Sequence, residues 1–361
     1  MYLKQISVVN FKNHLEANYS FSDTINCFTG SNGVGKTNIL DAIYYLSFSK
    51  SFFNSIDSHN INFDHDFFIV QGEYELDNHS EKIYIGLKQG KKKIVKRNQK
   101  VYKRLADHIG LFPLVMVSPA DSNLIIEGSE VRRKFIDGVI SQYDKTYLEN
   151  LLKYNKALTQ RNALLKLFSE NQFFDKESLE LWNMKMEQYA LPIYNTRTEF
   201  LTKFIPIFQK YYDLISGKKE EISLEYLSQL NDYSFETLFK DNLTAELRSL
   251  HTKVGVHKDD LEFLIDGHSV KKYGSQGQQK TYLLALKLAQ FEIIKNIKGK
   301  KPILLLDDIF DKLDSQRVKA LMKLVSDHNF GQIFISDTNS KRVIDLFEDI
   351  DIEPQVFEVT K

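Results

Sequence analysis

The chain has 361 residues, 42% of them hydrophobic and 27% charged, and its 48 basic and 48 acidic residues cancel. This composition predicts a soluble protein with one large domain and an insertion or with two domains, and it excludes nucleic-acid binding through overall charge. The single cysteine, Cys27, excludes an internal disulfide. No signal peptide and no apolar run of about 18 residues is found, so we expect a cytoplasmic protein without a membrane segment.

The first ninety residues alternate apolar and polar side chains, which predicts β-strands around one apolar helix. The strand candidates are "YLKQISVVNF", "ANYSFS", "INCFTG", "FFIVQGEYEL" and "KIYIGLKQG", and the helix candidate is "KTNILDAIYYLSFS". From Ser129 apolar residues recur every three or four positions, and a second such stretch runs from Ser178 to Tyr212. Two helices of roughly 40 residues, each about 60 Å long, are therefore predicted.

Strand candidates return near the C-terminus as "LEFLIDGHSVKKYG", "PILLLDD" and "GQIFISDT", with one helix predicted after Gln278 and another after the second strand. Neither end of the chain holds enough strands for its own sheet, so the pattern predicts an α/β head domain with a helical insertion. We predict an N-terminal, β-rich part of the head at residues 1–120, a helical arm at residues 121–244 and a C-terminal part of the head at residues 245–361.

The segment "GSNGVGKT" fits the phosphate-loop pattern G-x-x-x-x-G-K-[ST] and stands between a predicted strand and a predicted helix. Its backbone N–H groups would bind phosphate above a helix N-terminus, Lys36 would reach the β- and γ-phosphates, and Thr37 would ligate Mg²⁺. A tight turn with a helix cap is the alternative, but it leaves the charge of Lys36 unexplained. The candidate ATP-binding residues are Gly30, Ser31, Asn32, Gly33, Val34, Gly35, Lys36 and Thr37.

The segment "PILLLDDIFDKLD" would complete this site, because its apolar run reads as a buried central strand that ends in acid. Asp307 would ligate the metal, and Asp308 would orient or deprotonate the attacking water. An apolar strand followed by two aspartates is weak evidence alone, and it gains weight from the phosphate loop. Lys36, Asp307 and Asp308 are the candidate catalytic residues.

The segment "YGSQGQQKT" places an uncharged Gly-Ser-Gln cluster at the start of an apolar helix. The order of phosphate loop, this cluster, acidic strand and "DKLD" resembles that of ABC-type ATPases, in which the cluster is the signature motif. The resemblance implies that Ser275, Gly277 and Gln278 contact the γ-phosphate bound by an opposing subunit, and that Asp314 crosses the dimer interface. The alternative is a serine-rich helix cap.

The flanking segments resemble the RecF family of bacterial ATPases from end to end. The matching segments are "LKQISVVNFKNH", "NCFTGSNGVGKTNILDAIYYLSFSKSF", "VSPADSNLIIEGSEVRRKFID", "YNKALTQRNALLK", "GVHKDDLEF", "YGSQGQQKT" and "LLLDDIFDKLD". SMC proteins, by contrast, insert hundreds of coiled-coil residues where this chain has roughly 120.

The resemblance implies an ABC-type P-loop ATPase head with a short helical arm, which dimerises on ATP and Mg²⁺ and hydrolyses ATP slowly. It also implies binding of double-stranded DNA beside single-strand gaps, a role in DNA repair and the SOS response, and RecR and RecO as partners. Lys12 and Asn13 are carried over as base or ribose contacts.

Some positions depart from the RecF pattern. Val256 and Lys258 stand where the family usually has Pro and Arg. The glutamine of the ABC-class Q-loop is missing, and Asp121 is the candidate substitute. At the switch position after the last central strand, Asp337 or Thr338 replaces histidine.

Residues 88–104 hold nine Lys or Arg and no acid, and they read as a β-hairpin that turns near Asn98. Because the net charge of the chain is zero, this hairpin has the strongest local positive field, and phosphate contacts without base readout are expected. The alternatives are a solvated face for the hairpin and, for the arginines after Glu127, pairing with Glu127 and Glu130. The candidate DNA-binding residues are Lys91, Lys92, Lys93, Lys96, Arg97, Arg132 and Arg133.

Two other functions use parts of the same pattern. A transporter nucleotide-binding subunit shares all three nucleotide motifs, but the basic hairpin and the RecF-like flanks have no role there. A nuclease-coupled ATPase would need a catalytic domain, and only about 25 residues follow the last predicted core strand.

Overall fold

A computed structural model describes residues 1–217, 220–310, 315–326, 330–348 and 353–360. Its backbone contacts divide the chain into two compact units. The first unit comprises Met1–Ser122, Lys210–Lys219 and Gln276–Lys361, and the second comprises Asn123–Gln209 and Glu220–Ser275.

The first unit contains two β-sheets and several helices. Its strands are β1 (Tyr2–Phe11), β2 (His14–Ser20), β3 (Ile25–Thr29), β4 (Phe67–Leu76), β5 (His79–Lys88), β6 (Ile94–Arg97), β7 (Lys100–Val101), β8 (Leu114–Val117), β12 (Ile303–Asp307), β13 (Ile333–Asp337) and β14 (Gln355–Glu358). Its helices are α1 (Lys36–Phe48), α8 (Gln276–Lys298), α9 (Ser315–Ser326) and α10 (Ser340–Glu348).

The second unit is mainly helical. Its elements are α2 (Asn123–Ile126), α3 (Ser129–Ile140), α4 (Lys145–Asn171), most of α5 (Lys176–Ser216), β9 (Ile222–Leu227), α6 (Phe235–Ser249), β10 (Asp260–Ile265), β11 (His268–Ser269) and α7 (Val270–Tyr273). The last residues of α5 belong to the first unit.

The parallel sheet of the first unit has the strand order β14-β3-β13-β12-β8, and every pairing in it is parallel. All residues of β3, β8, β12 and β13 are buried, which explains why these strands are continuous apolar runs. Because the strands are parallel, the residues that follow β3, β8, β12 and β13 come together at one edge of the sheet. The phosphate loop and the predicted metal ligand lie at this edge.

The other sheet of the first unit is antiparallel, with the order β2-β1-β4-β5-β6-β7. Buried and more exposed residues alternate along β4 and β5, so one face packs on the core and the other stays open. Helix α1 contacts both sheets and is buried over most of its surface, which accounts for its apolar sequence.

The helical stretch predicted from Ser129 is divided between α3 and α4. The side chain of Asp144 accepts a hydrogen bond of 2.9 Å from the backbone N–H of Tyr147 and caps α4. The predicted single helix of roughly 40 residues is therefore wrong for this stretch. The second stretch forms α5, which has 41 residues and contains Pro192 and Pro206.

Residues 245–275 cluster with the second unit, whereas the boundaries predicted from the sequence place them in the head. The reason is a sheet of order β11-β10-β9, in which β10 pairs antiparallel with β9. Charged groups also hold the second unit together. Arg161 and Glu246, both fully buried, form an ion pair of 2.7 Å.

Within the described ranges, no helix combines the length and the apolar character needed to cross a membrane.

Candidate nucleotide site and nucleic-acid interface

The loop between β3 and α1 has a backbone that requires glycine. Gly30, Gly33 and Gly35 have φ angles of 141°, 83° and 113°, in the region that L side chains rarely adopt. Gly35 directly precedes α1, which begins at Lys36. A glycine-rich turn that leads into a helix N-terminus is the arrangement that binds phosphate in proteins.

The Lys36 ammonium lies within this loop. Its Nζ donates hydrogen bonds to the carbonyl oxygens of Gly30 and Ser31 at 2.8 and 2.9 Å, and the residue is 7% exposed. Within the part of the chain that the structure describes, no carboxylate pairs with Lys36. The positive charge is therefore held in the loop by neutral groups, as a site for phosphate requires.

The Thr37 hydroxyl and the Asp307 carboxylate meet although they are 270 positions apart. Thr37 Oγ1 donates to Asp307 Oδ1 at 2.8 Å, and Ser336 Oγ donates to the same oxygen at 2.7 Å. Ser118 Oγ lies 3.4 Å from Asp307 Oδ2. Burial raises the pKa of the Asp307 carboxyl, while the hydrogen bonds from Ser336 and Thr37 oppose this shift.

This pair of oxygen ligands fits Mg²⁺, which proteins usually bind through one or two carboxylates together with substrate phosphates and water. Within the described residues, no cluster of three or more His, Cys, Asp or Glu forms an independent metal site. The donor set at Thr37 and Asp307 is therefore suited to a metal that arrives with a nucleotide.

Asp308 has an unusual backbone for a residue with a side chain. Its φ angle is 50°, and its N–H donates to Ser336 Oγ at 3.0 Å. Its Oδ1 is buried and has no hydrogen-bond partner among the described residues. A buried, unsatisfied carboxylate oxygen beside the predicted metal ligand Asp307 is placed to accept a hydrogen bond from water.

The turn between β1 and β2 supports the phosphate loop. Asn13 Nδ2 donates to the Val34 carbonyl at 2.9 Å, and His14 Nε2 lies 3.0 Å from the Gly35 carbonyl. A Cβ added at Gly35 would come within 2.7 Å of the Asn13 side chain. Burial lowers the pKa of His14, which favours the neutral ring. The contact of His14 was not predicted from the sequence, where the only signal was its position next to Asn13.

Lys12, the other predicted base or ribose contact, is in an ion pair. Its Nζ lies 2.6 Å from Oδ2 of Asp41, whose side chain is fully buried in α1. The Lys12 side chain is 11% exposed. Its base or ribose contact stays a prediction, and the pairing gives Lys12 a structural role between β1 and α1.

Asp121, the predicted substitute for the Q-loop glutamine, pairs with a lysine of α8. Lys287 Nζ lies 2.6 Å from Asp121 Oδ1, and the backbone N–H of Ser118 donates to Asp121 Oδ2 at 2.9 Å. Because Ser118 Oγ also contacts Asp307, the ion pair is connected by hydrogen bonds to the predicted metal ligand.

At the switch position, Asp337 is fully buried and accepts hydrogen bonds from Arg342 Nη2 at 2.7 and 2.6 Å. Ser336, one position earlier, is the residue that contacts Asp307. The contacts of Ser118 and Ser336 were not predicted from the sequence. Each serine lies near the carboxyl end of a central strand, which was the available signal.

The Gly-Ser-Gln cluster spans the beginning of α8. Ser275 is exposed just before the helix, and Gly277 and Gln278 are half-buried in its first turn. Arg317, in α9, packs beside Gly277, where an added Cβ would lie 3.3 Å from Nη2. Arg317 Nε donates to Thr281 Oγ1 at 2.5 Å. Asp314 lies outside the described residues.

The basic hairpin is present, with its turn at Asn98 and Gln99, whose φ angles are 47° and 68°. Lys93 is in an ion pair of 2.6 Å with Asp57 and also donates to the Ser49 carbonyl, and its side chain is 12% exposed. Arg97 donates two hydrogen bonds to Glu81, at 2.8 and 2.6 Å. These two cations hold the hairpin to the head.

The remaining three candidates of the hairpin, which we call the outer lysines, have no carboxylate partner within the described ranges. The outer lysines are Lys91, Lys92 and Lys96.

The two candidate arginines of α3 are both engaged inside the second unit. Arg132 forms two hydrogen bonds with Asp260, at 2.7 and 2.9 Å, and Arg133 Nη1 donates to the Asp259 carbonyl at 2.5 Å. Of the acids considered from the sequence, Glu130 pairs with Lys134 at 2.6 Å. For Arg132 to contact a phosphate, its pairing with Asp260 would therefore have to be shared or broken.

Comparison with known proteins gives a consistent result over the whole chain. Residues 2–355 match a family model described as RecF/RecN/SMC N terminal domain. The "DNA replication and repair protein RecF" of Flavobacterium johnsoniae is 50% identical over 343 residues, which cover 95% of this chain and 95% of the relative. The RecF protein of Phocaeicola vulgatus is 50% identical over 361 residues, which cover 99% of this chain and 96% of the relative.

Solved structures agree with this result. A structure described as "recombination mediator protein RecF-ATP in RecFOR pathway" has a TM-score of 0.90 and 34% identity, and the match covers 99% of this chain and 95% of that chain. An Smc head domain from Pyrococcus furiosus has a TM-score of 0.57 at 17% identity and covers 99% of this chain and 94% of its own, which shows a shared fold. The fold is therefore that of an ABC-type ATPase head.

Proposed function

The chain belongs to the RecF family, and from this premise we propose that it is an ATP-dependent DNA-binding protein of recombinational repair and replication restart. The curated relatives are described as DNA replication and repair proteins, and two solved relatives are RecF structures named for ATP and ATPrS. The observation that carries the proposal is the hydrogen bond between Thr37 and Asp307, which joins the phosphate loop to the acidic strand.

The residues of the site have distinct roles in this proposal. Lys36 neutralises phosphate oxygens, and Thr37 and Asp307 hold Mg²⁺. Asp308 accepts a hydrogen bond from the attacking water. Bound ATP would supply the γ-phosphoryl group, Mg²⁺ would neutralise part of its charge, and transfer of this group to water would end the bound state. The short Asp308 side chain, where many such ATPases have Glu, supports slow hydrolysis that acts as a timer.

The exposure of Ser275 in the signature segment supports dimerisation on ATP as part of this proposal. Ser275 is exposed, as a donor to a nucleotide bound by another subunit must be. We propose that two heads close on two nucleotides, each between the phosphate loop of one subunit and Ser275, Gly277 and Gln278 of the other. The N-terminus of α8 then faces the γ-phosphate, where its positive dipole end is stabilising.

The outer lysines supply the first DNA contacts in this proposal. They would bind phosphates of double-stranded DNA beside a single-strand gap, without base readout. RecR and RecO are the proposed partners, in agreement with the RecFOR pathway named for the solved relatives. The transporter alternative is not retained, because the full-length similarity is to DNA repair proteins.

The test mixes two variants with different defects. Lys36→Met removes the main counter-charge for phosphate, and we expect it to abolish ATP-dependent DNA binding while the head stays folded. Ser275→Arg leaves the phosphate loop intact, so binding of ATP to a single subunit should persist while dimerisation fails. In a mixed dimer, one site joins an intact phosphate loop to an intact signature.

Sedimentation with a non-hydrolysable ATP analogue measures the outcome. We expect heterodimers in the mixture and no dimers of either variant alone. The proposal fails if Ser275→Arg alone dimerises like the wild-type protein, or if Lys36→Met retains full DNA affinity in the presence of ATP.

A further inference from the structure

The open face of the antiparallel sheet carries a straight row of polar side chains, which we call the polar row. In the strand register, Asn18 is opposite Ser7, Ser7 is opposite Gln71, Gln71 is opposite Tyr84, and Tyr84 is opposite Lys96. Residues directly opposite each other point to the same face of a sheet. The polar row therefore crosses β2, β1, β4, β5 and β6 on the face away from the core. The part from Ser7 to Lys96 spans three strand spacings, or about 14 Å.

A second, apolar row runs beside the polar row. It comprises Val9, Ile69, Gly86 and Ile94, which are also opposite one another on the same face. None of these four residues is fully buried, and Ile94 is 47% exposed. A partly exposed aliphatic strip next to a row of amide and hydroxyl groups is a surface for a flat ligand that has polar edges.

The Tyr84 ring lies along this face instead of standing away from it. A Cβ added at Gly86 would be 2.7 Å from the Tyr84 hydroxyl oxygen and 3.0 and 3.1 Å from two ring carbons. Gly86 thus provides the space in which the ring rests. A cleft of about 680 Å³ opens over this region and is lined by Gln5, Ser7, Gln71, Tyr84, Lys96 and Gln99 among others.

On the side of the Tyr84 ring that faces the basic hairpin, the charged groups are positive. Lys96 Nζ lies over the Tyr84 ring, 5.1 Å from its centroid, so a base that stacks on the ring must displace this flexible side chain. Lys91 and Lys92 are exposed in the turn between β5 and β6. On the opposite side of the cleft, Lys82 and Glu73 compensate each other at 3.4 Å. The face therefore combines a flat aromatic ring, polar groups and a positive edge.

We propose that this face binds single-stranded DNA, with one unpaired base stacked on Tyr84 and the adjoining phosphates on Lys96 and the other outer lysines. Aromatic rings on an open sheet stack unpaired bases, and a basic edge follows the backbone of the strand. The bases of a duplex already stack on their neighbours, so a duplex would engage the lysines but not the ring. Gln71 and Ser7 would contact the base edges.

This inference rests on the proposed DNA-binding function and adds to it a way to recognise a gap. A duplex end binds the outer lysines, and the first unpaired bases reach the polar row on the same sheet. The lysines at this edge attract negative charge. A nucleic acid is therefore a better ligand for this face than a protein surface with few acidic residues.

The test compares Tyr84→Ala, Tyr84→Leu and Tyr84→Phe on oligo(dT), on duplex DNA and on a gapped duplex with 2-aminopurine in the gap. One lost stacking contact should weaken oligo(dT) binding about 5- to 150-fold in the Ala and Leu variants, whereas Phe should bind within about twofold of wild type. Stacking should quench 2-aminopurine fluorescence in the wild-type and Phe proteins only.

Duplex affinity and the salt dependence of binding should stay unchanged in all three variants, since no phosphate contact is lost. Tyr233→Ala, at a tyrosine that is 58% exposed in the second unit, is the matched control and should bind oligo(dT) like wild type. Gly86→Val should displace the ring and reproduce the loss seen with Ala.

The inference is overturned if Tyr84→Ala and Tyr84→Leu bind oligo(dT) like wild type, or if they lose oligo(dT) and duplex binding equally. It is also overturned if 2-aminopurine fluorescence is quenched equally in every variant. Failure of the proposed function gives a different result, because the wild-type protein would then not bind duplex DNA with ATP.

Discussion

The ion pair between Asp121 and Lys287 should make a large contribution to the stability of the head. The two charged atoms are 2.6 Å apart, and the side chains are only 5% and 6% exposed. Lys287→Met removes the ammonium and leaves the Asp121 carboxylate buried without its cation. Breaking a buried pair from one side costs about 3–5 kcal/mol in the free energy of unfolding, and we expect a loss in this range at neutral pH.

The cost should depend on pH in a defined direction. Burial is the main influence that raises the pKa of Asp121, and the Lys287 ammonium opposes it. Without Lys287, the folded-state pKa rises further above the unfolded value. A carboxyl with a raised folded pKa destabilises the fold above its unfolded pKa, and the cost is complete above the folded pKa, so the loss in Lys287→Met should shrink as the pH falls between these two values.

The double variant Asp121→Asn with Lys287→Met separates the charge from the packing. It removes both charges, and the Asn amide oxygen can still accept the hydrogen bond from the Ser118 N–H. Replacing a buried pair by neutral groups is often neutral or stabilising, so the double variant should recover most of the loss. Lys280→Met, at an exposed lysine of the same helix, is the control and should change stability by less than about 0.5 kcal/mol.

Urea denaturation followed by far-UV circular dichroism measures these differences. A loss below about 1 kcal/mol in Lys287→Met would refute the reasoning, because that value is typical of a solvated surface pair. Equal losses in the single and double variants would show that packing of the Lys287 stem, and not the charge, is responsible.

Two further predictions concern the hairpin and the second unit. Replacing the three outer lysines by Ser should lower the slope of log affinity against log salt for duplex binding by about 2.7, at about 0.9 per phosphate contact. Lys93→Met should leave this slope unchanged and lower the free energy of unfolding by about 2 kcal/mol. Burial lowers the pKa of His257 from 6.5 to about 4, so the unfolded chain takes up the proton first and stability should fall as the pH drops through this interval. The fall should reach about 3 kcal/mol by pH 4 and be absent in His257→Gln, as measured by the fluorescence of Trp182, the single tryptophan, which lies in the second unit.

The elements with strong local patterns could be predicted from the sequence. The predicted first strand has the same limits as β1, and "FFIVQGEYEL" has the same limits as β4. Both strands alternate because one face is buried. The apolar run of β12 was predicted as a buried strand because a central parallel strand is covered on both faces, whereas the segment of β3 was predicted only as a strand.

Long-range pairing could not be predicted in this way. Strand β9 was not predicted, and it is the partner that holds β10 in the second unit. Nothing within residues 260–265 indicates which strand they pair with, because pairing depends on a segment more than 30 positions away. The division of the helix at Asp144 was also missed, although Asp is a favoured N-cap residue.

In the nucleotide site, the motifs predicted the residues that touch a ligand but not the residues that hold them. Thr37 and Asp307 were predicted to share a metal, and they lie within hydrogen-bond distance. The serines that orient Asp307 come from β13 and from the segment after β8, and a serine has no distinctive pattern. Only the order of strands in the sheet brings these groups to one edge.

The basic hairpin shows most clearly what a count of charges leaves out. Its lysines and arginines form one group in the sequence, but in the structure Arg97 pairs with Glu81 at the start of β5 and Lys93 pairs with Asp57. These two cations fix the hairpin on the head at the expense of their own availability for DNA. Because a fixed hairpin loses less conformational freedom on binding, the anchored pairs support binding by the outer lysines without touching a phosphate themselves.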